Sequence, residues 1–178
     1  MRSRGMSLLE LMVTLFLLSL MMVATAFIMR ESLAVRNKGE ATNSAFRAIL
    51  VGMEHLRAEL RGGQVLGPGA IGGTPVNRLT YRFPAVRPTG LMVVDGEGIP
   101  VWAGTATVSV NPQGRLVRVE EARPTEERVL ADLGQGSFQV ERVALRILRV
   151  NLVAVHTEMN RETSTYRLSA DIELPNNE

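Results

Sequence analysis

The chain has 178 residues, a formal net charge of +2 and no cysteine, which excludes disulfide bonds, thiolate metal sites and a cysteine nucleophile. Without Arg2 and Arg4, its 18 basic residues would equal its 18 acidic ones, and the aromatic residues are only five Phe, two Tyr and one Trp. Single-stranded nucleic acid binding favours a basic stripe with aromatic stacking platforms, so we expect no nucleic-acid partner.

An apolar segment covers residues 6–29 and contains one ionisable residue, Glu10. As an α-helix, 24 residues extend about 36 Å, which is enough to cross a hydrocarbon core of about 30 Å. Arg2 and Arg4 precede the segment, so the positive-inside rule predicts a cytoplasmic N-terminus and a C-terminal part on the other side. The sequence therefore predicts one transmembrane helix over residues 6–29.

Glu10 needs an explanation, because an ionised side chain in the middle of a membrane helix costs about 2.5–3.5 kcal/mol on insertion scales. In one interpretation the segment is an uncleaved anchor and Glu10 is tolerated near the interface. In a second it is a removable secretory signal, since Ala24–Ala26 has the small-residue pattern of a cleavage site. The apolar stretch is longer than the usual 7–15 residues of such a signal.

A third interpretation starts from the residues around Gly5. A short basic leader, residues 1–5, ends in this glycine, Met6 follows as a hydrophobic residue, and Glu10 is the fifth residue after Gly5. This pattern resembles the prepilin cleavage and methylation motif of type IV pilin-like proteins. The resemblance implies that a prepilin peptidase cuts between Gly5 and Met6 and methylates the new amine. It also implies that Glu10 pairs with the amine of an adjacent subunit as helices stack into a filament.

Residues 30–61 contain no proline, and apolar residues recur there at three- and four-residue steps, as in an amphipathic helix. The predicted stripe consists of Phe46, Ile49, Leu50, Met53, Leu56 and Leu60. Gly62 and Gly63 provide the C-terminal stop. The sequence predicts that the membrane helix continues through residues 30–61 and packs its second half on a head domain.

A Gly/Pro-rich connector, residues 62–77, leads into a β-rich head, residues 78–178, in which the apolar period changes to two. The predicted strands are 78–83, 90–95, 105–110, 115–120, 129–133, 137–140, 143–155 and 165–174. We find no internal repeat in this part of the sequence. Half-buried antiparallel strands under one helix predict an α+β fold, with the long N-terminal helix packed on an antiparallel β-sheet.

The polar residues of the head predict no catalytic site. His55 and His156 are expected at the surface or its boundary. Ser137, His156 and Asp171 are the residue types of a hydrolase triad, but no serine lies in a nucleophile-elbow sequence. The acidic residues around Pro124 predict a solvated loop; they are Glu120, Glu121, Glu126 and Glu127.

No cofactor or metal site is predicted either. The segment Asp95–Gly98 has two acids on a glycine turn, but it lacks the density of oxygen ligands found in a calcium loop. Gly67, Gly69 and Gly72 match the spacing of a dinucleotide-binding loop, yet they follow a helix and include Pro68. A connector explains them better.

The order of elements resembles W-type minor pilins and the J-type pseudopilins of type II secretion: a long helix, a glycine-rich connector, the strand with Leu79–Tyr81, the segment Gly114–Arg118 and a paired-strand end. This resemblance implies a structural minor subunit, and no enzyme, in a type IV pilus or type II secretion-like filament. Motility, protein secretion and DNA uptake all remain open.

The implied location is the bacterial inner membrane, with one span, a cytoplasmic N-terminus and a periplasmic head, followed by incorporation into a filament or its tip. The implied partners are the prepilin peptidase, other pilin or pseudopilin subunits, the inner-membrane assembly platform and membrane lipid. A membrane-anchored periplasmic binding module that joins no filament is the alternative.

Overall fold

The structure is a computed structural model that describes residues 7–157 and 163–175. Its elements in chain order are a helix, α1, and eight strands: α1 (Leu8–Arg61), β1 (Gln64–Gly67), β2 (Arg78–Pro84), β3 (Trp102–Val110), β4 (Arg115–Glu120), β5 (Arg123–Asp132), β6 (Ser137–Ala144), β7 (Ile147–Thr157) and β8 (Thr163–Glu173). The chain divides into two compact units, Met1–Glu40 and Ala41–Glu178, and α1 contributes to both.

The described part of the first unit is the N-terminal part of α1. Neither glycine nor proline interrupts the helix before Gly39, and residues 7–33 are all exposed. By length and composition α1 is able to cross a membrane. The exposed apolar surface is what a helix needs in order to contact lipid or other apolar helices.

The second unit, the head, contains two antiparallel sheets. One has the strand order β1-β2-β3-β4-β5 and the other the order β6-β7-β8. In the first sheet Tyr81 pairs with Ala106, and in the second Leu152 pairs with Leu168. The predicted α+β class, a long N-terminal helix with antiparallel strands, is therefore confirmed. The division into two sheets was not predicted, because alternating strands look the same whichever sheet they join.

The core of the head lies between the C-terminal part of α1 and the two sheets. The helix contributes Ala41, Ala45, Ile49, Gly52, Met53, Leu56 and Leu60, all buried. Two members of the predicted stripe, Phe46 and Leu50, are 37% and 44% exposed, so that part of the prediction was wrong. Small residues occupy the contact instead, since Ala45 and Gly52 allow the sheets to approach the helix backbone closely.

Several strand bounds differ from the predicted ones. The predicted loop around Pro124 was wrong, because β5 begins at Arg123 and its backbone pairs with β4, for example Glu127 with Val119. The predicted strand 143–155 is divided by a turn that ends β6 at Ala144 and begins β7 at Ile147. In place of the predicted strand 90–95, the chain forms two short hairpins within residues 85–101.

The predicted connector also contains ordered structure. The strand β1 pairs with β2, and further along the connector Ile71 and Val76 form isolated bridges to Arg142 and Val140 of β6. At the helix end, the Gly63 backbone N–H donates a hydrogen bond to the Leu60 carbonyl oxygen at 3.2 Å. The backbone donors and acceptors of this segment are thus partly satisfied by the sheets it passes.

Gly52 tests the close packing of α1 on the sheets. A Cβ atom there would lie 3.0 Å from the Ala131 Cβ atom, whereas a Cβ atom at Gly39 would meet nothing within 4 Å. We predict that Gly52→Leu lowers the free energy of unfolding of the head by about 1–3 kcal/mol through overpacking. The matched variant Gly39→Leu should not lower it, because leucine has the higher helix propensity.

The measurement is denaturant unfolding of the full chain in detergent, followed by the fluorescence of Trp102, the single tryptophan. Equal stability of the Gly52→Leu and Gly39→Leu proteins would contradict the close approach of helix and sheet.

Candidate assembly segment

The apolar part of α1 contains polar side chains that the helix itself satisfies. The hydroxyl groups of Thr14, Ser19 and Thr25 donate hydrogen bonds of 2.7–2.9 Å to backbone carbonyl oxygens three or four residues earlier. A hydroxyl bonded in this way presents no unmatched donor to lipid. Between Leu8 and Met29, Glu10 is the only residue with an ionisable side chain.

Glu10 lies in the first turn of α1, where it takes part in a capping box. Its Oε2 atom accepts a hydrogen bond from the Ser7 backbone N–H at 3.0 Å, and the Ser7 hydroxyl oxygen accepts one from the Leu9 N–H at 3.2 Å. These bonds satisfy backbone donors that a helix start leaves free, and a carboxylate there is also favoured by the helix dipole. Sequence reasoning missed this cap, although serine followed three residues later by glutamate is its signature.

The other two predicted processing residues, Gly5 and Met6, lie outside the described residues. A family model described as "Prokaryotic N-terminal methylation motif" matches residues 1–26, a range that includes Gly5, Met6 and Glu10. The chain is type IV pilin-like at its N-terminus. Searches of curated proteins and of solved structures found no match to it.

This motif implies processing by a prepilin peptidase and assembly with other pilin subunits. Proteins of this pilin-like type are structural rather than catalytic. The long apolar helix and the motif together fit membrane anchoring.

The residue types of a hydrolase triad do not meet in the head. Both carboxylate oxygens of Asp171 accept hydrogen bonds from Arg149, at 2.9 and 3.1 Å, and these bonds lower the pKa of Asp171. The His156 Nε2 atom lies 3.3 Å from the Asp132 carbonyl oxygen, while Ser137 begins β6 opposite Val153. Each group has another partner, so the arrangement offers no nucleophile and base in contact.

The remaining candidates are structural as well. His55 is exposed on α1, and its Nδ1–H donates to the Leu130 carbonyl oxygen at 2.8 Å. Asp95 accepts hydrogen bonds from the backbone N–H groups of Glu97 and Ile99, both at 2.9 Å, which makes the segment an ordinary turn. Within residues 7–157 and 163–175, no three His, Asp or Glu residues are grouped in a way that could hold a metal ion.

A buried polar cluster ties the end of α1 to the first sheet. The Arg118 Nε atom on β4 lies 3.2 Å from Glu59 Oε2 on the helix and 2.9 Å from the hydroxyl oxygen of Tyr81 on β2. The Tyr81 hydroxyl donates to Glu59 at 2.8 Å, and the Arg118 guanidinium also lies over the Phe83 ring at 4.6 Å. Burial, and then the Glu59 carboxylate, raise the pKa of Tyr81 far above its ordinary value, so this hydroxyl remains a donor. Since its members satisfy one another, the cluster stabilises the head and has no free group for chemistry.

Two arginines of the head allow a matched test of this cluster. The Arg118 side chain is 10% exposed, whereas Arg149, which pairs with Asp171, is 40% exposed. We predict that Arg118→Met lowers the free energy of unfolding by about 3 kcal/mol, because it leaves the carboxylate of Glu59 buried with less compensation. Arg149→Met should cause a far smaller loss, because water screens an exposed pair.

Denaturant unfolding of the two full-length variants measures the difference. Equal losses for Arg118→Met and Arg149→Met would contradict the role of the buried cluster.

Proposed function

We propose that the protein is a minor pilin or pseudopilin, a structural subunit of a type IV pilus or a type II secretion-like filament. The observation that carries this proposal is the methylation motif over residues 1–26, with Glu10 as the only ionisable residue of the apolar helix up to Met29. The protein is inserted as a single-pass inner-membrane precursor with its head on the periplasmic side. It is cut after Gly5, methylated on the amine of Met6 and assembled through α1.

The chemistry of Glu10 connects cutting with assembly. In the precursor its carboxylate accepts a hydrogen bond from Ser7, within the first turn of its own helix. Cleavage creates a positive amine on Met6, about one helical turn from Glu10. A carboxylate in hydrocarbon needs a cation, and in a stack of parallel helices the Met6 amine of the adjacent subunit provides one. This ion pair sets the axial register between neighbouring subunits.

The minor role and the choice of machine rest on less specific features. The order of helix, connector and strands resembles W-type minor pilins and J-type pseudopilins, and the described head offers no catalytic group that would suggest an enzyme. In this proposal the partners are the prepilin peptidase, other pilin-like subunits and the inner-membrane assembly platform. Lipid surrounds α1 before assembly.

Gly5 tests the processing step. We predict that Gly5→Leu leaves the precursor uncut in its host, because a bulky side chain occupies the position where the peptidase requires glycine. Ser3→Leu, in the same leader, is the control and should be cut normally. Intact mass of the purified proteins distinguishes the forms, and normal removal of residues 1–5 from the Gly5→Leu protein would argue against the motif.

Glu10 tests the assembly step. We predict that Glu10→Gln is cut and methylated as usual but enters filaments at least about tenfold less efficiently, because the amide cannot replace a charge pair worth about 2.5–3.5 kcal/mol. Glu31→Gln changes the next acid along the helix and should have little effect. The measurement is the amount of each variant in sheared filaments relative to the membrane fraction; undiminished incorporation of Glu10→Gln would remove the pairing role.

A further inference from the structure

Residues 85–101, here called the double hairpin, form a closed unit beside the end of α1. Three backbone hydrogen bonds join Ala85, Val93 and Val101 in a ring: Ala85 donates to Val101, Val101 to Val93 and Val93 to Ala85, at 2.7–2.9 Å. One hairpin lies between Ala85 and Val93, and the other lies between Val93 and Val101. The ring fixes both hairpins at their bases.

The two hairpins repeat one another in sequence and in geometry. The segment Val86–Val93 reads VRPTGLMV and the segment Val94–Val101 reads VDGEGIPV, so valine, glycine, an aliphatic residue and valine recur at equivalent positions. Gly90 and Gly98 both have a φ angle of +83°. The expectation of no internal repeat was therefore wrong: the eight-residue repeat is too short and too divergent between its glycines to stand out by composition.

Equivalent positions of the repeat expose large aliphatic side chains. Leu91 and Ile99 are 66% and 51% exposed, and Val86 and Val94 are 59% and 49% exposed. Met92 and Val101 extend the same surface. Together these six residues present on the order of 500 Å² of apolar surface, the size at which a patch on a monomer usually marks an interaction site.

The charge of the double hairpin argues against a lipid surface as its partner. Its charged residues are Arg87, Asp95 and Glu97, so the segment has one more acidic than basic residue. Segments that bind anionic lipid carry clustered lysine or arginine, and interfacial segments use tryptophan or tyrosine, none of which occurs within residues 85–101. A protein surface is the better match.

We propose that the double hairpin docks onto an apolar surface on the head of an adjacent, different pilin-like subunit. This inference rests on the proposed function. A patch of on the order of 500 Å² is smaller than the roughly 800 Å² per partner of a standard stable interface. It suits subunits that their membrane helices already hold side by side, because tethering raises the effective concentration of one head beside the other.

A second copy of this chain fits less well. Filament growth requires a heterologous contact, in which the double hairpin meets a different surface of the next subunit. Two recesses elsewhere on this head are lined mainly by arginine, glutamate and aspartate side chains. Such walls do not complement valine, leucine and isoleucine, so the apolar acceptor belongs to a subunit of another sequence.

The absence of cysteine permits a direct test by cross-linking. Leu91→Cys places one thiol on the double hairpin, and Leu145→Cys places one on the turn before β7, where the native side chain is 53% exposed. Both full-length proteins are labelled in their host with a benzophenone maleimide and irradiated. We expect Leu91→Cys, but not Leu145→Cys, to form an adduct with a protein that itself carries a cleaved and methylated pilin-type N-terminus.

An adduct with a second copy, with lipid alone or with a protein lacking that N-terminus would overturn the proposal, as would adducts no more abundant than those of Leu145→Cys.

A double substitution measures the energetic role of the surface. Leu91→Ser with Ile99→Ser should lower incorporation into filaments on the order of tenfold, since truncating two central apolar contacts commonly weakens an interface this much. The control, Val129→Ser with Leu145→Ser, removes two other exposed aliphatic side chains and should leave incorporation unchanged. Intact mass of the same samples reports removal of residues 1–5. If the double-hairpin variant is cut and incorporated normally, the docking inference fails and the proposed function stands; if even the unaltered protein is uncut, the proposed function fails.

Discussion

A single carboxylate in an otherwise uncharged apolar helix is the constraint on which the proposed function depends. Glu10 has a local solution in the first turn, where the Ser7 N–H donates to it, but that bond leaves the negative charge without a cation. Lipid does not stabilise such a charge, whereas a positive amine on a neighbouring helix does. In the proposed filament, cleavage after Gly5 therefore does more than remove a leader, because it creates the group that Glu10 requires.

The head is stabilised without disulfide bonds, by packing and by one buried polar cluster. Ala45 and Gly52 let α1 approach the sheets, and Arg118 joins Glu59 of the helix to Tyr81 of the first sheet. In contrast, the double hairpin exposes aliphatic side chains that the head does not cover. The core thus accounts for the stability of the head, and the uncovered surface accounts for the further contact that we infer.

Sequence patterns predicted those elements whose ends are marked by turn residues. The strand β4 has the predicted bounds, 115–120, because Gly114 precedes it and the alternation of side chains is regular. The stripe on α1 was only partly predicted, since large apolar residues were chosen by type and the contact depends on small ones such as Ala45 and Gly52. The first part of β5 gave no signal, because its exposed residues pair through the backbone, which hydropathy does not detect.

The candidate assembly site was predictable as a motif but not as a geometry. The spacing of Gly5, Met6 and Glu10 identifies the processing pattern, whereas the capping bond between Ser7 and Glu10 became visible only in the folded helix. The double hairpin escaped prediction for another reason: its valines and leucine alternate like those of a strand, while two glycines with positive φ fold the segment back every eight residues.

Intact-mass analysis of the native protein, purified from its host, tests the central claim most directly. The account predicts that Met1–Gly5 are absent and that the new N-terminus at Met6 carries one methyl group. A working protein that still begins at Met1, or one that begins at Phe27 after secretory cleavage, would contradict it.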